Sequence, residues 1–347
     1  MDTDCDTSAR QLVPTILAEY GALTRTRFAQ YLPDREPRRY LYDLVSDYPS
    51  RGGRMMRSGI CIATTCAFGG TIDQALGPAV AIELLHNSFL VLDDIEDESN
   101  ERRGRPTLHA QHGVPLALNA GATLSLLSIR PLLESLDHLG TEVARLILED
   151  TERVALESAE GQAMELGWRN ENLIELNDRS YLEMVLKKTS WLAAIYPLRV
   201  GGLIGSRGGT DPDIFIPFGF LLGAAFQIQD DLLNFCSNER YGKERDGDLW
   251  EGKRSLPLIH LMRECTSTER QRLVQILACA RSDKSPDDVA WIRSRLEKYA
   301  CIDYARHVAQ AIAGAASEEC ETVLATLPDS RDKRFLLSLP RWVIERN

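Results

Sequence analysis

The sequence predicts an all-α protein, a single large bundle of about a dozen helices around a central cavity. Apolar residues recur at three- and four-residue steps through most of the chain, whereas alternating runs bounded by tight hairpin turns are almost absent. Neither a change in composition nor an internal repeat marks a boundary. We therefore expect one domain over residues 1–347, with residues 1–8 as a disordered tail.

Turn-forming residues separate the predicted helices along the chain. In order, they lie at residues 32–34, 48–53, 104–106, 208–212 and 285–288. Two helical segments, residues 76–92 and 214–233, are more apolar than a surface helix, which places them at the centre of the bundle. Residues 266–347 read as helices without a recognisable motif.

Composition and charge exclude several classes of protein. The 347 residues include 40 Lys and Arg against 51 Asp and Glu, a net charge of −11, which argues against a nucleic-acid partner. An acidic N-terminus and the lack of a long uninterrupted apolar run predict no membrane span and a cytoplasmic location. The eight cysteines are scattered singly, so neither a disulfide framework nor a zinc site is expected.

The first acidic cluster, Asp93, Asp94 and Asp97, ends the first apolar segment. At about 100° per residue, Asp97 projects about 40° and Asp94 about 100° from Asp93, so the three carboxylates are expected on one face. Such close like charges need cations, and Mg²⁺ is the hard cation that combines carboxylate with phosphate oxygens.

A second cluster, Asp230, Asp231 and Asn234, repeats this spacing at the end of the other apolar segment. If the two helices face each other, five carboxylates and one amide oxygen converge. The core of a helical bundle is where metal sites of this kind are built. The two clusters together predict a Mg²⁺ site inside the bundle.

Basic residues near the clusters predict a diphosphate site, because arginine forks and lysines match phosphate oxygens. They are Arg54 and Arg57 after a Gly-Gly pair, Arg102 and Arg103 after the first cluster, Lys188 in an apolar helix, and Lys243 and Lys253, each after a glycine.

These motifs, in this order, resemble the trans-isoprenyl diphosphate synthases of the polyprenyl synthetase family, and most of all the geranylgeranyl diphosphate synthases. The likeness spans residues 49–257 and also includes His86-Asn87-Ser88-Phe89, Thr189 and Gln227-Ile228-Gln229. It implies the isoprenoid synthase bundle, a homodimer, and about three Mg²⁺ ions per site, which Mn²⁺ can replace. The substrates would be isopentenyl diphosphate and an allylic prenyl diphosphate.

The resemblance also implies a role for each residue. The Mg²⁺ ligands would be Asp93, Asp94, Asp97, Asp230, Asp231 and Asn234, the last standing where the family has a third aspartate. The allylic diphosphate would be bound by Arg102, Lys188, Lys243 and Lys253, and isopentenyl diphosphate by Arg54, Arg57, His86 and Arg103. The residues facing the reacting carbon would be Lys188, Thr189 and Gln227.

The resemblance implies a prenyltransferase that elongates the chain head to tail, with geranylgeranyl diphosphate as the expected product. Phe89, one helical turn before Asp93, would act as a wall against the growing tail, and the small Ser88 would leave a way round it. Farnesyl or longer products are alternatives. So are a class I terpene cyclase on the same scaffold, which needs no isopentenyl diphosphate site, and an inactive partner subunit.

Overall fold

The computed structural model describes residues 2–235 and 246–346, excluding the side chains of residues 2–10. It confirms the all-α prediction, with seventeen α-helices in these ranges and one two-stranded hairpin. This exceeds the predicted dozen because short helices such as Leu108–His112 and Gly247–Glu251 carry too few residues to show a helical repeat.

The bounds of the elements in chain order are as follows. The helices are α1 Asp2–Phe28, α2 Asp43–Ser50, α3 Met56–Ala67, α4 Ile72–Glu96, α5 Leu108–His112, α6 Val114–Leu127, α7 Ile129–Leu139, α8 Thr141–Asn170, α9 Asp178–Val185, α10 Tyr196–Gly205, α11 Phe215–Asn234, α12 Gly247–Glu251, α13 Leu256–Glu264, α14 Ser267–Leu277, α15 Pro286–Lys298, α16 Cys301–Leu324 and α17 Arg331–Glu345. The hairpin pairs β1 Glu101–Arg102 with β2 Arg105–Pro106. Helix α1 is described from Asp2 onward, without the side chains of its first residues, and the disordered tail over residues 1–8 stays a prediction.

Helices α4 and α11 lie at the centre of the bundle, as their apolar sequences predict. Thr71 caps α4 through a reciprocal pair of bonds with Gln74, and most of the helix between Ala75 and Val91 is buried. Helix α11 packs along the segment that joins α9 to α10 and along α16. Both acidic clusters therefore lie at the C-terminal ends of buried helices.

The segment between α9 and α10, Leu186–Ile195, is a π-helix. Glycines on two neighbouring helices allow the backbones of those helices to pack closely against this segment. A Cβ atom at Gly161 of α8 would lie 2.2 Å from the backbone nitrogen of Lys188, and one at Gly223 of α11 would lie 2.5 Å from the Cα of Ser190. The π-helical backbone is thus held between α8 and α11. This packing fixes the backbone positions from which the side chains of Lys188 and Thr189 extend.

Two helical stretches of the described chain have the length and hydropathy of a membrane span, Ile72–Glu96 and Val114–Leu139. The first is helix α4, and 67% of its apolar window is buried inside the bundle. A core helix passes the same test, so these stretches are weak evidence for a membrane-spanning segment.

Candidate active site

One large cavity, of about 970 Å³, brings the two acidic clusters together. Helix α4 contributes Asp93 to one wall, and α11 contributes Asp230 and Asp231 to another. Helix α8 and the π-helical segment also contribute to the lining. The predicted convergence of carboxylates from two facing helices is therefore present for these three residues.

Asp93 is the member of the first cluster that lines this cavity. Its carboxylate accepts a hydrogen bond from Arg102 Nη2 at 3.2 Å and lies 3.3 Å from Lys188 Nζ. Asp94 is fully buried and points away from the cavity, toward Arg102 Nε at 2.9 Å and the hydroxyl of Tyr48. The 100° step between adjacent helical residues separates the two, so the expected common face does not include Asp94.

Asp97 and Asn234 line a small pocket beside the main cavity. Lys253 Nζ lies 2.7 Å from Asp97, and Arg169 also donates to that carboxylate. Burial opposes ionisation of Asp97, but Lys253, Lys188 and Arg169 outweigh it and lower its pKa. The side-chain oxygen of Asn234 accepts a hydrogen bond from the backbone N–H of Asp248 at 3.2 Å.

In the second cluster, the Asp231 carboxyl group is buried and held by two hydrogen bonds. Asp231 accepts hydrogen bonds from the Tyr181 hydroxyl and from Gln227 Nε2, both at 2.7 Å. Burial and the adjacent Asp230 raise the pKa of Asp231 to about 6, although both of these hydrogen bonds lower it. Asp230 lies 3.5 Å from Arg346 Nη2.

The lysines predicted for the allylic diphosphate are paired with carboxylates across the cavity. Lys188 donates to Glu165 of α8 in addition to its contact with Asp93. Lys253 lies 3.1 Å from Glu251 as well as contacting Asp97. Burial alone would lower the pKa of Lys188, but Glu165 and Asp93 raise it, so the ammonium stays charged. Lys243 lies outside the described residues.

The residues predicted for isopentenyl diphosphate line the same cavity as a second basic group, made of the guanidinium groups of Arg54, Arg57 and Arg103 and the imidazole of His86. Burial and the neighbouring arginines lower the pKa of His86 well below its usual value, so its imidazole is neutral. Burial lowers the pKa of Arg57 to about 10. Glu83 is the carboxylate that raises the pKa of Arg57 most, and it already accepts hydrogen bonds from Ser58. Such a group favours an anionic ligand.

Arg103 is aimed by the Gly-Gly pair that precedes Arg54. Its guanidinium donates to the carbonyl oxygen of Gly52, and a Cβ atom at Gly53 would lie 2.9 Å from its Nη2. Gly53 also has a φ of 144°, in the region that favours glycine. The pair therefore provides both a turn and the space across which Arg103 lies.

Thr189 and Gln227 both line the cavity and contact each other there. The Thr189 hydroxyl donates to Gln227 Oε1 at 2.8 Å, and the amide of Gln227 donates in turn to Asp231. The two oxygens therefore lie together beside the second acidic cluster, where they can face developing positive charge.

Of the two residues predicted to control the tail, the structure places only Phe89 in the cavity lining. Ser88 is fully buried on another side of α4, and its hydroxyl has no hydrogen-bond partner among the described residues. Ser88 lies outside the cavity lining because the 100° step turns it into the helix packing, and the way round Phe89 stays a prediction.

Several cavity residues were missed by the sequence reasoning, among them Glu165, Asp248 and Arg346. Glu165 is 7% exposed and lies four residues after Gly161, on the same face of α8. This spacing is the one feature of the sequence that could have indicated that Glu165 faces the π-helical segment. Arg346 stacks on Phe226 at 3.7 Å and donates to the carbonyl oxygen of that residue. Arg346 and Phe226 are 120 residues apart in the chain, so no local sequence pattern could have indicated this contact.

Comparison with known proteins agrees with this geometry. The sequence model of the polyprenyl synthetase family matches residues 38–296. The chain is 30% identical to the short chain isoprenyl diphosphate synthase of Methanothermobacter thermautotrophicus, covering 96% of this chain and 98% of that protein. It is 31% identical to the geranylgeranyl diphosphate synthase of Sulfolobus acidocaldarius over 78% of this chain and 80% of that one.

A solved structure agrees as well. The geranylgeranyl pyrophosphate synthetase of Pyrococcus horikoshii superposes with a TM-score of 0.84 at 31% identity, covering 97% of this chain and 99% of that one. Sequence and fold thus match over nearly the whole length. The chain therefore belongs to the polyprenyl synthetase family and is an enzyme of the trans-prenyltransferase class.

Proposed function

We propose that this enzyme condenses isopentenyl diphosphate with an allylic prenyl diphosphate, extending the chain head to tail. The observation that carries the proposal is the presence of two different groups of cations at one cavity. Lys188 and Arg102 contact Asp93 of the first acidic cluster, whereas Arg57 and Arg103 line the same cavity and Arg103 donates to the carbonyl oxygen of Gly52 instead. Two diphosphates can therefore be bound at once, one with metal ions and one without.

The second group of cations argues against the terpene cyclase alternative. A cyclase ionises one prenyl diphosphate and needs only the site at the acidic clusters. In this chain burial lowers the pKa of both Arg57 and Arg103. Arg103 lowers the pKa of Arg57 further, and both arginines lower the pKa of His86. A cost of this kind is offset when a second anionic substrate binds between these residues. The intact first cluster likewise argues against an inactive subunit.

The donor set fits Mg²⁺. Asp93 on one wall and Asp230 and Asp231 on the other offer only oxygen atoms to the cavity. Further ligands would come from substrate phosphate and water, which Mg²⁺ usually keeps in its coordination shell. Bound there, Mg²⁺ would stabilise the negative charge of a departing diphosphate. The number of ions stays a prediction.

The residues of the chain supply the rest of the chemistry. Lys188 and Arg102 stabilise charge that grows on the diphosphate as its bond to carbon breaks, more strongly than in the bound substrate. Thr189 and Gln227 place oxygen atoms beside the allylic cation. Apolar walls such as Phe89 and Leu192 keep water from it. The proton lost after addition of isopentenyl diphosphate passes to the released diphosphate, so no protein base is required.

The experiment that tests this function is product analysis with labelled isopentenyl diphosphate and each allylic primer, with Mg²⁺ and then with excess chelator. We expect longer prenyl diphosphates with Mg²⁺ and none with chelator. A hydrocarbon formed from the allylic substrate alone would support the cyclase instead. Undiminished turnover in chelator would exclude the metal sites.

Arg57→Ala should raise KM for isopentenyl diphosphate by about tenfold or more and change KM for the allylic substrate far less. The lost guanidinium removes charge-assisted hydrogen bonds only from the ligand that it contacts. Steady-state kinetics with each substrate varied in turn measures the split. Equal increases in both constants would place Arg57 outside a separate isopentenyl diphosphate site.

We propose geranylgeranyl diphosphate as the product. The relatives described above are named for short-chain and geranylgeranyl products. Phe89 lines the cavity one turn, about 5.4 Å, from Asp93 along α4, on the path of a tail whose diphosphate is anchored at the acidic clusters.

Phe89→Ala should therefore shift the products toward longer chains, because it adds cavity volume without touching the diphosphate contacts. Chromatography of the dephosphorylated products gives the distribution. Ser88→Ala, on the same helix but outside the cavity lining, is the matched control and should leave the distribution unchanged. An unchanged distribution in folded, active Phe89→Ala would place the tail elsewhere.

We also infer a homodimer. Helices α6 and α7 expose large apolar side chains that a second copy could cover, including Leu118 at 51%, Leu126 at 69% and Leu133 at 46%. Sedimentation equilibrium tests this assembly, and a monomer at micromolar concentration would contradict it. The cytoplasmic location stays a prediction.

A further inference from the structure

Arg102 and Arg103 belong to one small rigid unit. The β1–β2 hairpin pairs Arg102 with Arg105 and turns through Arg103 and Gly104, whose φ angles are 54° and 69°. Two consecutive residues with positive φ are the mark of a type I′ turn. The hairpin places Arg102 against the acidic cluster and Arg103 against the Gly52 carbonyl. Its position therefore sets both proposed diphosphate sites together.

This hairpin is held from outside the cavity by Arg51, which follows α2. The Arg51 guanidinium donates to the carbonyl oxygens of Arg102 at 3.1 Å and Pro106 at 2.8 Å. Its side chain is fully buried and also donates to Asp47, whose other oxygen lies 2.7 Å from Arg105. Both strands of the hairpin are thus fixed to one end of α2.

Tyr48 connects this support to the acidic cluster. Its hydroxyl donates to Asp94, and the Arg51 guanidinium lies 4.4 Å from the centre of its ring. Tyr48 is 1% exposed, so both contacts are shielded from water. Asp94 in turn accepts hydrogen bonds from Nε and Nη2 of Arg102.

We propose that Tyr48 and Arg51 are positioning residues that hold the hairpin, and through it Arg102 and Arg103, in the geometry that binds diphosphate. Neither residue lines the cavity, so each acts through the arginines. Asp94, which the sequence predicts as a metal ligand, serves in this arrangement as the link between Tyr48 and Arg102. The proposal rests on the function proposed above.

The arrangement decides which donor of Arg102 faces the ligand. With Nε and Nη2 fixed by Asp93 and Asp94, Nη1 has no partner among the described residues and can bind phosphate. Loss of the Tyr48 hydroxyl would leave Asp94 with one donor fewer in a buried setting. Arg102 would then adjust toward Asp94, and a displacement of about 1 Å is enough to weaken a positioned contact strongly.

The test compares Tyr48→Phe, which keeps the ring, with the control Tyr31→Phe. Tyr31 is also buried near α2 and donates its hydroxyl to a carboxylate, that of Glu134 at 2.7 Å, but it does not line the cavity. Each variant is measured for its affinity for inorganic pyrophosphate by titration calorimetry with Mg²⁺ present, for kcat and for both KM values, and for Tm. Arg51→Lys, which keeps the charge but loses the fork, is the second variant.

We expect Tyr48→Phe and Arg51→Lys to bind pyrophosphate about tenfold or more weakly and to lose at least as much in kcat/KM for both substrates. Tyr31→Phe should change Tm but neither of the other readouts. Wild-type pyrophosphate affinity and kcat/KM in both α2 variants would overturn the proposal, as would equal losses in Tyr31→Phe. Pyrophosphate binding does not require turnover, so a wild-type enzyme that binds but fails to condense would refute the proposed function alone.

Discussion

Asp93→Asn should lower kcat by about a thousandfold or more with the protein still folded. Asp93 is the carboxylate of its cluster that lines the main cavity, and it contacts both Arg102 and Lys188. Asparagine keeps the shape but removes the negative charge, which acts mainly as the diphosphate departs, so the loss falls on the transition state. Single-turnover measurement with labelled isopentenyl diphosphate separates the chemical step from product release.

The matched control for this variant is Asp73→Asn in the first turn of the same helix. Asp73 is exposed and lies far from the cavity, where its charge only complements the helix dipole. That interaction is worth about 0.3–1 kcal/mol, so Asp73→Asn should lose a little stability and no activity. Near wild-type kcat in Asp93→Asn, or equal losses in the two variants, would show that Asp93 does not take part in ionisation.

The sequence predicts the parts of this site that depend on local spacing. The apolar segments that become α4 and α11 mark the buried helices, and a 3.6-residue repeat places each acidic cluster at a helix end. What the repeat cannot supply is the neighbour that each side chain meets. It puts Asp94 about 100° from Asp93, but only tertiary packing brings Tyr48 to that side.

The features of the site that the sequence does not predict depend on long-range contacts and on irregular backbone. Glu165 reaches Lys188 from another helix, and Arg346 reaches Asp230 across more than a hundred residues. The π-helix that carries Lys188 and Thr189 keeps an apolar pattern that reads as an ordinary α-helix. Ser88 shows the same limit, because its small side chain suggests space, whereas the packing of α4 buries it.

Gly161 packs directly against the π-helical backbone, so a larger residue at this position should destabilise the fold. Gly161→Ala should lower the free energy of unfolding by about 1–3 kcal/mol or more, the usual cost of overpacking a buried contact. The added Cβ would lie 2.2 Å from the nitrogen and 2.6 Å from the Cα of Lys188. These are backbone atoms, which cannot rotate aside, so α8 and the π-helix must separate.

Separation of α8 from the π-helix should also lower the rate of the catalysed reaction. Moving the backbone of Lys188 shifts its ammonium relative to Asp93, and a displacement of about 1 Å at a positioned group can cost about a hundredfold in rate. We therefore expect Gly161→Ala to lose kcat along with stability. Urea unfolding followed by circular dichroism, with kcat measured on the folded protein, tests both effects.

Gly167→Ala is the matched control, six residues further along α8, where an added Cβ meets nothing within 4 Å. Alanine is favoured over glycine in a helix by about 1 kcal/mol, so this variant should be slightly more stable and fully active. The same substitution in one helix then has opposite signs, decided by whether a neighbouring backbone occupies the space. If Gly161→Ala were as stable and active as Gly167→Ala, the close approach of α8 to the π-helix would not be what positions Lys188.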